Sequence, residues 1–188
     1  MILYFADRLM NIIGTASTSL PKGIVITNDA KTEDVDSGAS AFECELSFDK
    51  SNRAKVEEIT EVGNYLLRSD KGENEFYTII DCEIDTKQQT VYIYAEDAGL
   101  DLLNDIIDPY EANDFYEIGH YVERTASDAG WEIGVNELEG ITRKLKFADE
   151  QTGTARLLSI AKEFNDCEIS FSFEVKGLQV AKKLINIY

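Results

Sequence analysis

The chain has 188 residues, of which 44% are hydrophobic, so it is long enough for one large domain or two small ones, each with a buried core. Its net charge of -18, from 36 acidic against 18 basic residues, argues against non-specific nucleic-acid binding, which needs a basic surface. No run approaches the roughly 20 apolar residues of a membrane helix, so we expect a soluble segment without membrane contact.

Strand patterns dominate the first half of the chain. The strictest alternation runs from Ala41 to Phe48, where Glu43, Glu45 and Ser47 separate apolar residues, which is typical of an antiparallel strand with one buried face. Residues 1–95 therefore predict a small antiparallel β-barrel-like domain. The predicted elements are an opening hairpin (1–5 and 9–13), strands at 24–27, 41–48, 64–68, 76–84 and 90–95, a polar loop from Asn28 to Ser40, and a short helix from Asn52 to Ile59.

Residues 96–165 have a mixed α/β pattern and form the second predicted domain, an α/β insertion. Leu100, Leu103 and either Ile106 or Ile107 recur at helical spacing before Pro109, which ends the run. The further predictions are a helix that begins at Asp114 with Glu117 in a capping box and Gly130 as its C-cap, strands at 131–133 and 144–147, and a third helix from about Thr154 to Phe164.

The last predicted segment, 166–188, is a β-hairpin that returns to the barrel or starts a second one. Its strands are Cys167–Val175 and Leu178–Tyr188, joined by a turn at Lys176 and Gly177. Because the strand pattern continues to the last residue, we expect either that the natural protein continues or that another chain completes this strand. The predicted fold class is α+β.

Catalytic motifs and metal-ligand spacings are not found in the sequence. Its one histidine, His120, lies within an amphipathic helix pattern, which favours a packing or surface role. Cys44, Cys82 and Cys167 lack metal spacing and are expected to be inert core thiols. We therefore predict no catalytic, cofactor-binding or metal-binding residues, no cofactor, and no enzymatic activity for this segment.

The acidic residues are unevenly distributed. From Gln88 to Glu123 there are nine acids and no lysine or arginine, which indicates a solvated face or an acidic wall that faces a channel or a basic partner. Within this stretch, four oxygen-bearing side chains fall at i, i+3, i+4 and i+7. A calcium site there is a minor alternative to the wet face of a helix, because the stretch lacks the pattern of an EF-hand loop. The four are Asp101, Asn104, Asp105 and Asp108.

The residues leave three functional classes open: a binding module, a hydrolase and a DNA mimic. Tyr92 and Tyr94 on a predicted strand would stack on sugars if they were exposed, as in a receptor- or carbohydrate-binding module. The abundant carboxylates leave open a cell-wall hydrolase, although the acids are scattered. A DNA mimic would need carboxylates spaced like phosphates, whereas many acids here alternate along strands.

The order of elements resembles the N-terminal region of phage tail-hub proteins, namely the tail-associated lysin or prophage endopeptidase tail family, also called minor structural proteins. The resemblance covers nearly all of the chain and depends on short patterns and element order. It is carried by Met1–Phe5, Ala41–Leu46, Val62–Leu67, Val91–Ala98, Leu102–Asp105, Ala129–Gly134, Leu157–Phe164 and Cys167–Phe171.

The resemblance implies a baseplate-hub fold that assembles as a ring-like homotrimer. Such a trimer would sit at the virion tail tip below the distal tail protein ring, help to form the channel, and contact tape-measure or tail-fibre proteins. Members usually carry a lytic or fibre region after this point, and nothing in this chain matches one. No catalytic residue is therefore carried over, and no sequence-specific nucleic-acid binding is expected.

Overall fold

The computed structural model describes residues 1–19, 23–34 and 39–188. Within these residues the chain forms sixteen strands and three α-helices, and 3-10 turns at Lys50–Asn52, Ala98–Leu103 and Ser127–Ala129. The strands are β1 (Ile2–Ala6), β2 (Ile12–Ser17), β3 (Val25–Asp34), β4 (Ala39–Ser47), β5 (Tyr65–Asp70), β6 (Glu73–Asp85), β7 (Thr90–Asp97), β8 (Ile106–Ile107), β9 (Tyr110–Glu111), β10 (Tyr116–Glu117), β11 (Trp131–Asn136), β12 (Thr142–Arg143), β13 (Lys146–Phe147), β14 (Gln151–Thr152), β15 (Ile169–Lys176) and β16 (Gln179–Ile187). The helices are α1 (Arg53–Ile59), α2 (Ile118–Ala126) and α3 (Gly153–Glu163).

The fold is α+β, as predicted, and the chain divides into two compact units. The first unit comprises Met1–Ala98 with Val175–Ala181, and the second comprises Gly99–Glu174 with Lys182–Tyr188. The predicted three-part division, with boundaries at residues 95 and 165, stays a prediction.

In the first unit, seven strands pair in the order β1-β2-β3-β4-β7-β6-β5, and β1 also pairs with β5, so the sheet closes into a ring. Where the strands line the ring, their side chains alternate in and out apart from local bulges, and the inward set fills the ring with a hydrophobic core. Helix α1 adds Val56 and Ile59 to this core. The core residues are Leu3, Phe5, Ala16, Ile24, Ile26, Phe42, Cys44, Leu46, Phe48, Val56, Ile59, Leu66, Tyr77, Ile79, Val91, Ile93 and Ala95.

Most predicted elements of this unit are confirmed, but the predicted loop from Asn28 to Ser40 is wrong. Strand β3 continues to Asp34 and β4 begins at Ala39, and the two strands pair from Val25–Ser47 to Asp34–Ala39. Backbone hydrogen bonds do not require apolar side chains, so a polar sequence forms a strand where both faces meet solvent. Residues 35–38 lie outside the described part.

The second unit packs α2 and α3 beside short paired strands. Its larger sheet has the order β11-β16-β15, with β11 parallel to β16, and the pairs β10–β12, β9–β13 and β8–β14 are antiparallel. Helix α3 confirms the prediction: Thr152 is its N-cap and accepts a hydrogen bond from the Ala155 amide. None of the helices in the described part of the chain has the length and hydropathy of a membrane span.

Two predictions for this unit are wrong. The helix predicted over 100–107 is only a 3-10 turn that ends at Leu103, because Ile106 and Ile107 pair as β8 with β14. Helix α2 begins at Ile118 rather than at Asp114, since Tyr116 and Glu117 pair with β12. The predicted capping box is therefore not formed: Glu117 is the N-cap, and its carboxylate accepts a hydrogen bond from the Gly140 amide instead.

Candidate interaction surface

Strand β7 presents two tyrosines on the outer face of the ring. Val91, Ile93 and Ala95 are fully buried in the core, so the alternate residues Tyr92 and Tyr94 point outward. Tyr92 is 37% exposed, and Tyr94 is partly exposed. The tyrosines noted in the sequence are thus surface residues rather than core residues.

Carboxylates lie on both sides of each tyrosine. In the strand register, Tyr92 lies between Glu45 of β4 and Glu83 of β6, and Tyr94 lies between Glu43 and Asp81. We call these six residues the tyrosine–carboxylate face: Tyr92, Tyr94, Glu43, Glu45, Asp81 and Glu83.

A β-bulge determines the composition of this face. Strand β6 changes register between Ile79 and Asp81, so that Ile79 faces the core and the next inward residue is Cys82. Without this extra residue, strict alternation would turn Asp81 inward. The outward position of Glu43 and Glu45 follows from the predicted alternation of β4, whereas that of Asp81 and Glu83 depends on the bulge.

The carboxylates of this face are not neutralised by ion pairs within the described part of the chain. The Thr27 hydroxyl donates to Glu45 Oε1 at 3.2 Å, and the Tyr94 hydroxyl donates to Glu96 Oε1 at 2.8 Å. That hydrogen bond raises the pKa of Tyr94, and the pKa of Tyr92 is raised by partial burial and then by the Glu43 carboxylate.

A shallow depression of about 430 Å³ adjoins the face at the β6–β7 turn. Its lining is mainly acidic and polar, with one lysine and one aromatic ring. The lining residues are Glu45, Glu83, Ile84, Asp85, Thr86, Lys87, Thr90 and Tyr92. Asp85 is a structural residue, because its Oδ1 accepts hydrogen bonds from the amides of Lys87 and Gln88 within the turn.

His120 lies in an aromatic cluster of the second unit. Its ring stacks on Tyr116 with centroids 4.0 Å apart, and its Nε2 lies 3.1 Å from the Tyr110 hydroxyl. Tyr121 packs edge-on against it at 5.3 Å. These are packing contacts that tie the β9 and β10 strands to α2.

The four oxygen ligands of the calcium alternative do not share a helix face, because the α-helix that would align Asp101, Asn104, Asp105 and Asp108 does not form. Among the described residues, no group of three or more histidine, cysteine or acidic side chains is placed to hold a metal ion. The nine acids of the stretch from Gln88 to Glu123 are divided between the units, with Glu96 and Asp97 in the first and the other seven in the second. Whether they face a channel stays a prediction.

The three cysteines are free thiols, and of the three predicted core thiols only Cys44 is buried, whereas Cys82 and Cys167 are partly exposed. Burial raises the pKa of Cys44 to about 12, and burial also raises the pKa of Cys82 and Cys167. Cys82 additionally donates to the Thr60 hydroxyl at 3.3 Å.

Sequence reasoning missed Arg156, which is only 2% exposed in α3. Its guanidinium stacks on the Phe147 ring and donates to the Gln151 side chain and to backbone carbonyls of neighbouring segments. An arginine on an otherwise apolar helix face was the available signal.

Solved structures of phage tail proteins share this fold. A tail protein from Neisseria meningitidis MC58 matches 84% of this chain with a TM-score of 0.51 and 10% identity. Prophage tail protein gp18 from Listeria monocytogenes EGD-e matches 98% with a TM-score of 0.54 and 8% identity. The 43 kDa tail protein of prophage MuSo2 from Shewanella oneidensis matches 99% with a TM-score of 0.55 and 15% identity.

These likenesses show a phage tail protein fold. The chain spans about half the length of the solved tail proteins, covering 44%, 50% and 52% of them. No protein-family model matches the chain, and no curated protein matches it.

Proposed function

We propose that this chain is a structural component of a phage or prophage tail, within the hub of the tail tip or baseplate. In this role it joins the distal tail protein ring to the tail tip or fibre and helps to form the channel. The observation that carries the proposal is the fold shared with three tail proteins over 84–99% of the chain.

The packed interior of the ring supports assembly from several copies. Its core side chains, among them Phe5, Phe42 and Ile93, are fully buried or nearly so and leave the ring filled. A channel would therefore have to run between copies rather than through one chain's ring. A ring-like homotrimer meets this requirement, since closed symmetric rings enclose a central axis.

The charge of the chain agrees with a channel that passes DNA without holding it. Acidic walls repel phosphates, and the net charge of -18 gives little basic surface for binding them. We therefore propose that part of the acidic surface lines the channel and that distal-ring and tape-measure or fibre proteins are the partners.

Two experiments test this proposal. Light scattering after size exclusion, over a range of concentrations, is expected to give a mass near three times 21.1 kDa. Deleting the coding sequence from its phage or prophage is expected to yield tails that lack a tip, as seen by electron microscopy, and expression in trans should restore it. Complete and infective tails in the deletion strain would contradict the structural role.

A further inference from the structure

The outer face of β4, β7 and β6 is a sheet face left open to solvent in the first unit. We propose that the tyrosine–carboxylate face binds an arginine-bearing segment of a partner protein. This goes beyond the structural role proposed above and does not depend on it, because the binding is a property of the isolated chain.

The aromatic rings of the face suit a guanidinium group. Tyr92 lies on the central strand of the three, with 37% of its surface exposed, and Tyr94 is two residues further along the same face. An arginine guanidinium is planar and weakly hydrated, so it stacks on an exposed tyrosine ring and keeps its edge free for hydrogen bonds.

The carboxylates supply the acceptors for that edge. Glu45 and Glu83 lie on the strands to either side of Tyr92, so each is about 5 Å from it across the sheet. A guanidinium over the ring would lie within reach of both carboxylates and pair with one of them bidentately. The second row, in which Glu43 and Asp81 flank Tyr94, repeats this arrangement.

The charge of the face favours a cation over a neutral ligand. Its four carboxylates form no ion pair with other described residues, so they repel one another in the isolated chain. A saccharide would stack on the tyrosines but would leave this repulsion in place. An arginine side chain relieves it and stacks as well.

The spacing of the two rows indicates an extended segment. Outward residues on β7 are about 6.8 Å apart, because each strand residue rises about 3.4 Å. Alternate residues of an extended peptide have the same period. Arginines at alternate positions of one segment would thus place one guanidinium over Tyr92 and the next over Tyr94.

The test uses the full chain and a capped pentapeptide in which arginine alternates with serine. Binding is followed in two-dimensional amide NMR spectra, and we expect shifts confined to β4, β6 and β7. A double variant, Glu45→Gln with Glu83→Gln, should weaken binding about fivefold, because the guanidinium loses the carboxylate it pairs with and the second charge within its reach. Tyr92→Leu should weaken it about two- to fivefold with no change of charge.

The matched control is Glu137→Gln with Glu139→Gln, two exposed acids of the second unit that change the net charge equally. We expect less than about a twofold effect from it, because salt screens distant charges. If both double variants weakened binding equally, the binding would be non-specific electrostatic attraction to an acidic chain, and the proposal would be overturned. It would also be overturned if a chito-oligosaccharide bound the same residues more tightly than the peptide, or if a lysine–serine peptide bound as tightly as the arginine peptide.

Discussion

The buried guanidinium of Arg156 is predicted to hold the second unit together. Its Nε donates to Gln151 Oε1 at 2.6 Å, and its Nη2 lies 3.1–3.3 Å from the carbonyl oxygens of Ile107, Asp108 and Asp149. One side chain therefore connects α3 to β8, to β14 and to the loops beside them. These acceptors are all uncharged, and burial together with the nearby Arg124 lowers the pKa of Arg156.

Replacing Arg156 by methionine keeps most of the apolar stem and removes every one of these hydrogen bonds. A hydrogen bond to a charged group contributes about 1.5–3 kcal/mol net. The four hydrogen bonds together therefore make a large favourable contribution to the free energy of unfolding, before any offset is counted. Part of it is offset, because the substitution also removes a buried cation that costs several kcal/mol to desolvate. Water reaches the exposed residues Asp108 and Asp149 and replaces some of the lost donors. We expect the free energy of unfolding to fall by about 2–4 kcal/mol.

The assay is urea unfolding followed by fluorescence of Trp131, the single tryptophan, which lies in the second unit. The matched control is Arg124→Met. Arg124 stacks on Tyr110 at 4.2 Å, much as Arg156 stacks on Phe147 at 4.3 Å, but Arg124 is exposed. We expect the control to cost about 0.5–1 kcal/mol. If both variants lost the same stability, the buried hydrogen bonds would contribute nothing and the reasoning would be refuted.

Three further predictions concern the packing of each unit. Leu46→Ala in the ring core should lower the free energy of unfolding by about 2–5 kcal/mol. The control Leu9→Ala, at a site 80% exposed, should change it by less than about 0.5 kcal/mol, and circular dichroism during urea unfolding measures both. Cys44, with its pKa raised to about 12, should resist iodoacetamide at neutral pH in the native chain and react fully in urea, as mass spectrometry would show; rapid native alkylation would contradict its burial. Gly99→Ala places a methyl group 2.5 Å from the Phe171 ring and should cost about 1–3 kcal/mol by the same fluorescence assay, and an unchanged midpoint would mean that the ring moves aside freely.

Local sequence patterns correctly predicted those elements that form because of interactions between residues close together in the chain. Helix α3 has a capping threonine, a helical apolar period and a buried face, and each feature is visible in the sequence. The helix predicted over 100–107 has the same period, but Ile106 and Ile107 pair with β14, more than forty residues away. The hydrophobic periodicity of a segment does not depend on a strand partner so far along the chain. The periodicity therefore could not predict this short strand.

The candidate surface shows the same limit. The alternation of apolar and polar residues in β4 correctly predicted that Glu43 and Glu45 point away from the core. In a strand the side-chain period of two assigns each residue to one face or the other. The bulge in β6 carries no glycine or proline that would announce it, although it sets which acids join the face. The burial of Arg156 was not predicted, because it depends on uncharged hydrogen-bond acceptors from three separate segments of the chain. The sequence does not show that the fold brings these acceptors together.

The pairing pattern also indicates where copies of the chain would join in the proposed trimer. In the described part of the chain, β3 meets β2 only at Ser17 and Val25, so most of β3 lies along an edge of the ring sheet. That edge carries Asp29, Lys31 and Glu33, and charged side chains are a common guard against strand addition. The outer strand of the second unit's sheet, β15, instead alternates apolar and small polar residues over much of its length. In the proposed trimer we therefore expect strands of neighbouring copies to join at β15 rather than at β3.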